Sequence, residues 1–311
     1  MKILVTGGAG FIASHIVDAY IKLGHSVSVL DNLSTGRKEN LNPQAGFHEL
    51  DLRDAPAVRR LFAEGGFEVV NHHAAQIDVR RSVADPVNDA SVNLLGALTL
   101  LESAVSSGVR RVIFASSGGA IYGEQDFFPA DESHPTRPIS PYGVAKLATE
   151  EYLYYYRAVH GLGSVCLRYA NVYGPRQNPE GEAGVVAIFV SKMLANEHPV
   201  INGDGTQTRD YVYVGDIVRA NVLALSFNGS GIFNVGTGVE TDVNRLFTSL
   251  KSATGAACPE RHAEAKRGEQ LRSVLDNTKI RKELGWTPTV SVDEGIVATV
   301  EFFRRRAAHG A

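Results

Sequence analysis

The sequence predicts an α/β fold whose centre is a doubly wound parallel sheet, and three observations support this prediction. Short β-branched runs alternate with amphipathic helical stretches through the first half of the chain, which is the rhythm of βαβ units. Two runs, Ile3-Leu4-Val5 and Val112-Ile113-Phe114, are unbroken and apolar, as expected of strands that crossover helices bury on both faces. A glycine-rich turn follows the first run directly, where a strand would pass into a helix.

The strands of this sheet are predicted from runs near Lys2 to Thr6, Ser26 to Leu30, Phe47 to Leu50, Val69 to His72, Arg111 to Ala115 and Ser164 to Arg168. Two long helices are predicted near Val87 to Ser107 and Tyr142 to His160. They carry apolar and aromatic residues that look exposed, namely Leu94, Leu98, Leu101, Tyr152 and Tyr155. These side chains could pair across a dimer or pack within the monomer, and we expect a homodimer.

The βαβ rhythm breaks after Asn171, which predicts a smaller second lobe. Loops rich in Gly, Pro and Asn follow, with a helix near Val185 to Leu194 and short strands near Val200 and Tyr211. The run Gly231 to Val235 is predicted to return to the main sheet. The lobes therefore interleave. We assign residues 1–170 and about 214–240 to a Rossmann-type sheet domain, and about 171–213 and 241–311 to a carboxyl-terminal substrate lobe.

Composition limits the possible partners. The 311 residues are 44% hydrophobic and 21% charged, enough for an ample core. The formal net charge is -3 and Lys and Arg are scattered, so we expect neither nucleic acid nor a membrane surface as a partner. The two cysteines give no disulfide framework, and no apolar stretch at the amino terminus is long enough for a signal peptide or a membrane span. We expect reduced thiols, no metal site and a cytoplasmic location.

The glycine-rich turn reads Thr6-Gly-Gly-Ala-Gly-Phe-Ile-Ala-Ser-His15. Gly7 and Gly10 let the backbone turn tightly and approach a pyrophosphate, although such a pattern is often only a strand-to-helix turn. Asp31 ends the second strand about 20 residues further on, where a carboxylate accepts hydrogen bonds from ribose hydroxyls and repels a 2′-phosphate. This favours NAD over NADP. The alternative for Asp31 is a turn cap, and Asp51 at the end of the third strand could likewise meet the adenine or cap a turn.

A second group of residues predicts chemistry on an alcohol. The fifth strand ends in Ser116-Ser117, at the edge of the sheet where open α/β folds bind ligands, although a serine there could simply cap a turn. Tyr142 and Lys146 are four residues apart and share one helical face, so the ammonium should lower the phenol pKa from its usual value near ~10. A Tyr-x-x-x-Lys pair alone occurs often by chance. The order of glycine turn, acidic strand end, serine-ended strand and Tyr-Lys helix is what makes it informative.

With these residues in this order, the sequence resembles the extended short-chain dehydrogenase/reductase superfamily, and more closely its UDP-glucose 4-epimerase group. The resemblance spans essentially the whole chain, through TGGAGFIASH, LDNLSTG, NHHAA, SSGGAIYGE, SPYGVAK, LRYANVYGPRQ, DGTQTRDYVYVGD and FNVGTG. It implies a triad of Ser117, Tyr142 and Lys146. Ser116 competes for the serine role, because the Gly-Gly pair that follows adds one residue relative to many members of the group.

The resemblance also implies ligand contacts. For NAD they are Gly7, Gly10, Phe11, Ile12, Asp31, Asn32, Ser34, Thr35, Gly36, Asp51, Leu52, Ala74, Ala75, Gln76, Asn93, Ser116, Tyr142, Lys146 and Tyr169. For a UDP-sugar they are Ser117, Tyr142, Asn171, Val186, Arg209, Tyr211, Lys266, Arg267, Glu269 and Ser273. Arg209 suits phosphate oxygens, although it could instead pair with Asp210 or Asp204 on the surface. Ile77 departs from the group, since many epimerases carry a lysine there.

The implied reaction is inversion of carbon 4 of a UDP-hexose. Tyr142 would take the proton of the 4-hydroxyl while hydride leaves for the nicotinamide, and hydride would return to the other face of the 4-keto sugar. Dehydratases in the superfamily resemble one another in an Asp-Glu pair where this chain has Gly119 and Ala120, so dehydration is disfavoured. A UDP-glucuronate 4-epimerase or another nucleotide-sugar enzyme is the nearer alternative. A non-catalytic NAD-sensing scaffold is a distant one.

Substrate size is predicted at one position. Aligning Glu269 and Asp276 with the group's segment puts Ser273 where the pocket wall holds either a bulky tyrosine or something small. A small residue there predicts acceptance of UDP-N-acetylglucosamine as well as UDP-glucose, unless another side chain fills the space.

Overall fold

The computed structural model describes residues 1–180, 184–265 and 270–308. In chain order, the first part of the chain forms β1 (Lys2–Thr6), α1 (Phe11–Lys22), β2 (Ser26–Asp31), a 3₁₀ turn (Lys38–Asn40), β3 (Gly46–Glu49), α2 (Ala55–Gly65), β4 (Val69–His72), α3 (Val79–Ala84), α4 (Pro86–Ala90), a π-helical turn (Ser91–Leu95), α5 (Gly96–Ser106), β5 (Arg111–Ser117), α6 (Gly118–Tyr122), α7 (Pro141–His160) and β6 (Gly163–Tyr169). The remainder forms β7 (Asn171–Tyr173), α8 (Val185–Leu194), β8 (Ile201–Asn202), β9 (Thr208–Tyr213), α9 (Val214–Ser226), β10 (Gly231–Val235), β11 (Glu240–Asp242), α10 (Val243–Thr254), β12 (His262–Ala263), β13 (Arg272–Ser273), α11 (Thr278–Leu284) and α12 (Val292–Ala308).

A seven-stranded parallel sheet forms the centre of the molecule, in the order β10-β6-β5-β4-β1-β2-β3. The predicted doubly wound α/β fold is confirmed, and so is the return of Gly231–Val235 to this sheet. The strand order reverses between β1 and β4, so a crevice opens beyond their carboxyl ends. β5 runs two residues further than predicted, which places both Ser116 and Ser117 on the strand itself.

Side chains on alternate positions of the strands build two separate cores. Ile3 and Val5 face α1 and α9, whereas Leu4 between them faces α2, α5 and α7. Trp286 lies in the first core, 1% exposed, and its indole Nε1 donates to the Asp216 carbonyl at 2.8 Å. This residue belongs to the segment that the sequence assigned to the second lobe, so the segment around α11 packs on the main sheet.

The predicted helix near Val87 to Ser107 is interrupted by the π-helical turn at Ser91–Leu95. An apolar periodicity does not reveal one extra residue in a helical turn, and such turns are frequent at functional sites. Leu101 looked exposed in the sequence but is 1% exposed, within the core. Tyr152 and Tyr155 are 39% and 46% exposed, so the surface of α7 retains aromatic side chains that the monomer does not cover.

The second lobe has its own sheet and core. β9 pairs with β11, β13 and β7, and β8 pairs with β12. Behind them, α8, α10 and α12 enclose an apolar cluster that includes Phe189, Phe247 and Phe303. α8 spans the predicted residues, and the strands expected near Val200 and Tyr211 are β8 and β9. Within the described ranges, no helix combines the length and apolar character needed to cross a membrane.

Candidate active site

The turn between β1 and α1 forms a cradle that only glycine permits. Gly7 has φ +71°, and a Cβ there would lie 2.7 Å from the Ala74 backbone nitrogen. The Gly10 amide donates to the Gly7 carbonyl at 2.9 Å, and α1 starts at Phe11 with no side chain capping its first turn. The first amides of α1 are therefore available to a ligand, and their partial positive charge suits phosphate. This part of the molecule fits a dinucleotide pyrophosphate.

Asp31 is buried at the end of β2 and holds the neighbouring loops. Its Oδ2 accepts from the Ala9 amide at 3.0 Å and its Oδ1 accepts from the Leu33 amide at 2.8 Å. Burial raises the pKa of this carboxyl, while the two amides act in the opposite direction. The turn-cap alternative is thus observed. A carboxylate has about four acceptor sites, so contact with ribose hydroxyls is compatible with it.

The loop after β2 leads to a second acidic residue. Asn32, Ser34 and Thr35 are exposed, and the Asn32 side chain donates to Asp51 at 2.9 Å. Asp51 also pairs with Arg53, which holds the pKa of Asp51 well below its usual range. The adjacent Leu52 is buried. Asp51 therefore acts as a turn organiser, and its predicted contact with adenine remains a prediction.

Asn93, on the π-helical turn, fixes the loop that follows β4. Its Oδ1 accepts from the Gln76 amide and its Nδ2 donates to the Gln76 carbonyl, both at 2.8 Å. Upstream, the Ala74 amide donates to Thr6 Oγ1 at 3.1 Å, which sets Ala74 and Ala75 beside the glycine turn. Asn93 thus positions the 74–76 loop instead of presenting a free amide to a ligand.

Asp89 was not predicted from the sequence. It is 1% exposed, and its Oδ1 accepts from Asn93 Nδ2 at 2.9 Å and from Gln76 Nε2 at 3.0 Å. The available signal was its spacing, because an acid four residues before Asn93 shares its helical face.

The structure separates the two serines of β5. The Ser116 hydroxyl donates to Glu150 Oε1 at 2.6 Å inside the protein, away from Tyr142. Ser117 accepts from the Ala120 amide at 3.3 Å, as a cap of α6, and its side chain also hydrogen-bonds the Tyr142 hydroxyl. Ser117 is therefore the serine that is placed beside the phenol.

Tyr142 and Lys146 lie on one face of α7, which begins at Pro141 after the Ser140 cap. Lys146 Nζ is 5.7 Å from the Tyr142 ring centroid and donates to the Ala115 carbonyl at 2.8 Å. Burial lowers the pKa of Lys146 to about 8. The pKa of Tyr142 is raised by burial and by the charge of Asp89, with only the Ser117 hydrogen bond opposing. The expected lowering of the phenol pKa is therefore wrong, because burial is the largest effect and raises it.

A cavity of about 610 Å³ opens in the second lobe, where residues of β7, α8, β8 and β9 line it together with Arg80 of α3. Four predicted substrate contacts line it: Asn171, Val186, Arg209 and Tyr211. The sequence did not single out the polar residues Gln177, Lys192, Asn202 and Gln207, which also line it. Lys266, Arg267 and Glu269 lie outside the described residues.

Arg209 lines this cavity, and a backbone carbonyl, not a neighbouring acid, holds its side chain. Its Nη1 donates to the Thr208 carbonyl at 2.8 Å, and across the described part of the chain it forms no ion pair. Asp210 instead accepts from the Thr237 amide at 2.8 Å and the Gly238 amide at 3.0 Å. The alternative that Arg209 pairs with Asp210 or Asp204 is therefore wrong, and the guanidinium is available to an anion.

Two further predicted residues lie on strands: Ser273 on β13 of the second lobe and Tyr169 at the end of β6 in the main sheet. Ser273 is 4% exposed on β13, and a Cβ added at Gly119 would lie 4.0 Å from its hydroxyl. Tyr169 is buried, and its hydroxyl bonds to His73 at 3.1 Å and accepts from Asn221 at 2.8 Å. The Tyr169 hydroxyl thus hydrogen-bonds within the protein interior, so only the ring of Tyr169 could contact a ligand.

Comparison with known proteins agrees with this geometry. Residues 3–236 match the NAD dependent epimerase/dehydratase family. The chain is 48% identical over 313 residues to a UDP-glucose 4-epimerase of Mycolicibacterium smegmatis, covering 99% of this chain and 100% of that protein. The crystal structure of a Thermotoga maritima UDP-glucose 4-epimerase with UDP-glucose superposes with a TM-score of 0.97 at 50% identity, covering 99% and 100% of the two chains. The crystal structure of a Thermus thermophilus UDP-glucose 4-epimerase in complex with NAD superposes with a TM-score of 0.93 at 48% identity. The match covers 98% of this chain and 99% of that one.

Proposed function

This chain belongs to the NAD dependent epimerase/dehydratase family, and from that premise we propose that it is a UDP-glucose 4-epimerase. It uses NAD. Its substrates are UDP-glucose and UDP-galactose, which it interconverts by inverting carbon 4 through a transient 4-keto sugar.

One observation carries the proposal: Ser117, Tyr142 and Lys146 come together at the carboxyl end of the parallel sheet, the end at which the β1–α1 turn forms the glycine cradle. The cradle fits a pyrophosphate, and Arg209 in the cavity suits the diphosphate of a nucleotide sugar. We propose that a sugar anchored there extends toward the Tyr142 hydroxyl. Gly7, Asp31 and the 74–76 loop would hold NAD.

The protein residues divide the acid-base work. NAD, when bound, supplies the acceptor and donor of hydride. Ser117 hydrogen-bonds Tyr142 and orients it toward the sugar hydroxyl. Tyr142 takes the proton of the 4-hydroxyl and later returns it, so no net protonation change results. Lys146 keeps a cation beside the phenol, and its pKa of about 8 leaves it mostly charged near neutral pH.

The direct test is incubation of the pure protein with UDP-galactose and identification of the sugars formed. Formation of UDP-glucose without net reduction of added NAD supports the proposal. No conversion, with conversion of UDP-glucuronate instead, would reassign the substrate. A 4-keto-6-deoxy product would indicate a dehydratase, which we do not expect because Gly119 and Ala120 offer no titrating side chain.

We expect Asp31→Ala to reduce the preference for NAD over NADP by about 10-fold, because a carboxylate opposing a 2′-phosphate at a few Å carries an unfavourable Coulomb energy. The measurement is the ratio of the two dissociation constants. Asp54→Ala is the control, since Asp54 carries the same charge but caps α2. Tighter binding of NADP than of NAD by the unmodified protein would contradict the role given to Asp31.

We also expect the enzyme to accept UDP-N-acetylglucosamine, because Ser273, which lies near Gly119, is small where a bulky side chain would exclude an N-acetyl group. Ser273→Tyr should lower the specificity constant for the N-acetylated sugar by ~10-fold or more relative to UDP-glucose. Ser273→Ala serves as the control that keeps the site small. Inactivity of the unmodified enzyme on the N-acetylated sugar, or an unchanged ratio in the tyrosine variant, would rule this out.

Exposed apolar side chains bear on the oligomeric state of the protein. Val87, Val144 and Tyr154 on α4 and α7 are 79%, 53% and 65% exposed, and an apolar face of this kind suits pairing with a second copy. We propose a homodimer through this face. We further propose a cytoplasmic enzyme of galactose metabolism, in keeping with its two buried free cysteines.

A further inference from the structure

Glu150 is a buried carboxylate on α7, one helical turn beyond Lys146. Its Oε1 accepts from the Ser116 hydroxyl of β5 at 2.6 Å and from Arg168 Nε of β6 at 3.0 Å. Its Oε2 accepts from Arg168 Nη2 at 2.6 Å and from Nε at 3.2 Å. One side chain thus joins α7 to two neighbouring strands of the main sheet, through hydrogen bonds that depend on direction.

Arg168 extends this connection to α6. Its Nη1 donates to the Tyr122 hydroxyl at 2.9 Å, and that hydroxyl donates to Asn234 Oδ1 of β10 at 2.8 Å. Tyr122 and Asn234 are fully buried. The carboxylate of Glu150 and the guanidinium of Arg168 are therefore both enclosed by the protein, and each is hydrogen-bonded through more than one atom.

The same elements carry the residues of the acid-base group. Tyr142 and Lys146 lie on α7, and Ser117 is the last residue of β5. The Ser117 side chain also caps α6. Glu150 therefore contacts, directly or through Arg168, every element that carries or is capped by this group.

The contacts between α7 and β5 follow the same order on both elements. Lys146 Nζ donates to the Ala115 carbonyl at 2.8 Å. One helical turn later, Glu150 accepts from Ser116, the next residue of the strand. Because an α-helix keeps a fixed rise over the roughly two turns back to Tyr142, the contact at Glu150 fixes where Tyr142 lies along the strand.

The first turn of α7 has little room to adapt. A Cβ at Gly143 would lie 2.4 Å from the carbonyl oxygen of Ala120 on α6. Only glycine lets the two backbones approach so closely, and Tyr142 is the preceding residue. A slide of α7 along β5 would therefore press against α6 or carry the Tyr142 hydroxyl away from Ser117.

Stability alone does not explain a buried ion pair at this place. Removing two charges from water costs free energy, and well-packed apolar side chains of similar volume often replace such a pair without loss of stability. Apolar packing does not supply direction, whereas the planar guanidinium of Arg168 holds the Glu150 carboxylate through two parallel hydrogen bonds. The pair is therefore suited to keep a helix in one register on a sheet.

We propose that Glu150 is a positioning residue of the site, which fixes α7 on β5 and β6 so that the Tyr142 hydroxyl stays beside Ser117. Its effect on turnover rests on the proposed function, and its effect on the contact between Tyr142 and Ser117 does not. A reacting group displaced by about 1 Å can lose about 100-fold in rate. Loss of the anchor should lower kcat and leave KM almost unchanged, since the proposed nucleotide contacts belong to the second lobe.

Two variants separate positioning from stability. Glu150→Asp keeps the charge but is one methylene shorter, so we expect it to lose the contact with Ser116 or with Arg168. Glu150→Leu combined with Arg168→Met removes both charges and keeps apolar volume, so its urea unfolding midpoint should stay close to that of the unmodified protein. Glu151→Gln is the control, because Glu151 is the next residue of α7 and is exposed.

The first readout is steady-state kinetics with UDP-galactose. We expect both Glu150 variants to lower kcat by about 10-fold or more and to change KM by less than about 2-fold. The second readout needs no activity: it is the carbon chemical shift of Tyr142 in protein labelled at the phenol carbon of tyrosine, assigned by its loss in Tyr142→Phe. Each Glu150 variant should move this signal in the direction in which Ser117→Ala moves it, whereas Glu151→Gln should leave it in place.

A double variant with kcat close to that of the unmodified enzyme would overturn the proposal, because the pair would then contribute to stability alone. A Tyr142 signal that stays in place in both variants would overturn it too, as would a loss of kcat/KM that lies in KM. If neither Glu150 variant folds, Ser116→Ala decides, since it keeps the ion pair and removes only the link to β5. We expect it to move the Tyr142 signal, and an unmoved signal would contradict the proposal. An unmodified protein without epimerase activity would overturn the proposed function and leave the tyrosine signal to decide the role of Glu150.

Discussion

Tyr142→Phe is expected to lower kcat with UDP-galactose by about 100-fold or more, since loss of a general base typically costs 10²–10⁴. The ring stays and the hydroxyl that bonds Ser117 goes, so the fold and the cofactor cradle should be unaffected. The measurement is steady-state turnover, with NAD content determined on the same sample. Near-normal turnover would remove Tyr142 from the mechanism. Lys146→Ala should show a loss of similar size.

The two serines supply the control for this result. Ser117→Ala removes the hydrogen bond to Tyr142 and should reduce turnover clearly. Ser116→Ala removes a donor to Glu150 that points away from the phenol, so turnover should fall less. A larger loss at Ser116 would reassign the serine without changing the role of Tyr142.

The second large effect concerns stability. Arg168→Met is expected to lower the free energy of unfolding by about 3–5 kcal/mol, because it leaves Glu150 buried without its partner. The side chains of Arg168 and Glu150 are 4% and 1% exposed, and Nη2 lies 2.6 Å from Oε2. Arg168 Nη1 also donates to the Tyr122 hydroxyl at 2.9 Å. Urea unfolding followed by circular dichroism measures the change.

The exposed pair Arg305–Glu301 is the matched control for that measurement. Its side chains are 77% and 53% exposed on the last helix, at 3.2 Å, and such pairs contribute only about 0.3–0.5 kcal/mol. Arg305→Met should therefore leave the unfolding midpoint almost unchanged. Equal effects of the two substitutions would show that burial does not govern the energetics of the Arg168 pair.

Sequence periodicity predicted the sheet, and a short motif predicted the glycine turn, because both depend on local patterns. A buried parallel strand is apolar throughout, and Gly7 must be glycine where φ is positive and a backbone approaches. The identity of the serine could not be read in this way, since Ser116 and Ser117 differ only in which face of β5 they occupy. The structure favours Ser117, because Tyr142 lies beside it whereas Ser116 donates to Glu150.

What the sequence missed depends on burial and on distant contacts. Asp89 looked like any acid on a helix, and only the folded structure shows that it is buried and accepts from Asn93 and Gln76. The pKa of Tyr142 was predicted in the wrong direction, because a spacing of four residues identifies a neighbouring ammonium but says nothing of desolvation. The π-helical turn was likewise invisible, since one additional residue in a turn leaves the apolar pattern almost intact.

Trp286 is the one tryptophan in the chain, and this makes the molecule its own fluorescent probe. The indole is held under α9 by the Asp216 carbonyl, yet it belongs to the segment between α11 and α12. Its emission therefore reports whether this late segment is docked on the main sheet, whereas circular dichroism averages over every helix. If the two signals change together in denaturant, the interleaved lobes melt in one cooperative step; if the emission changes first, the carboxyl-terminal segment detaches before the sheet opens.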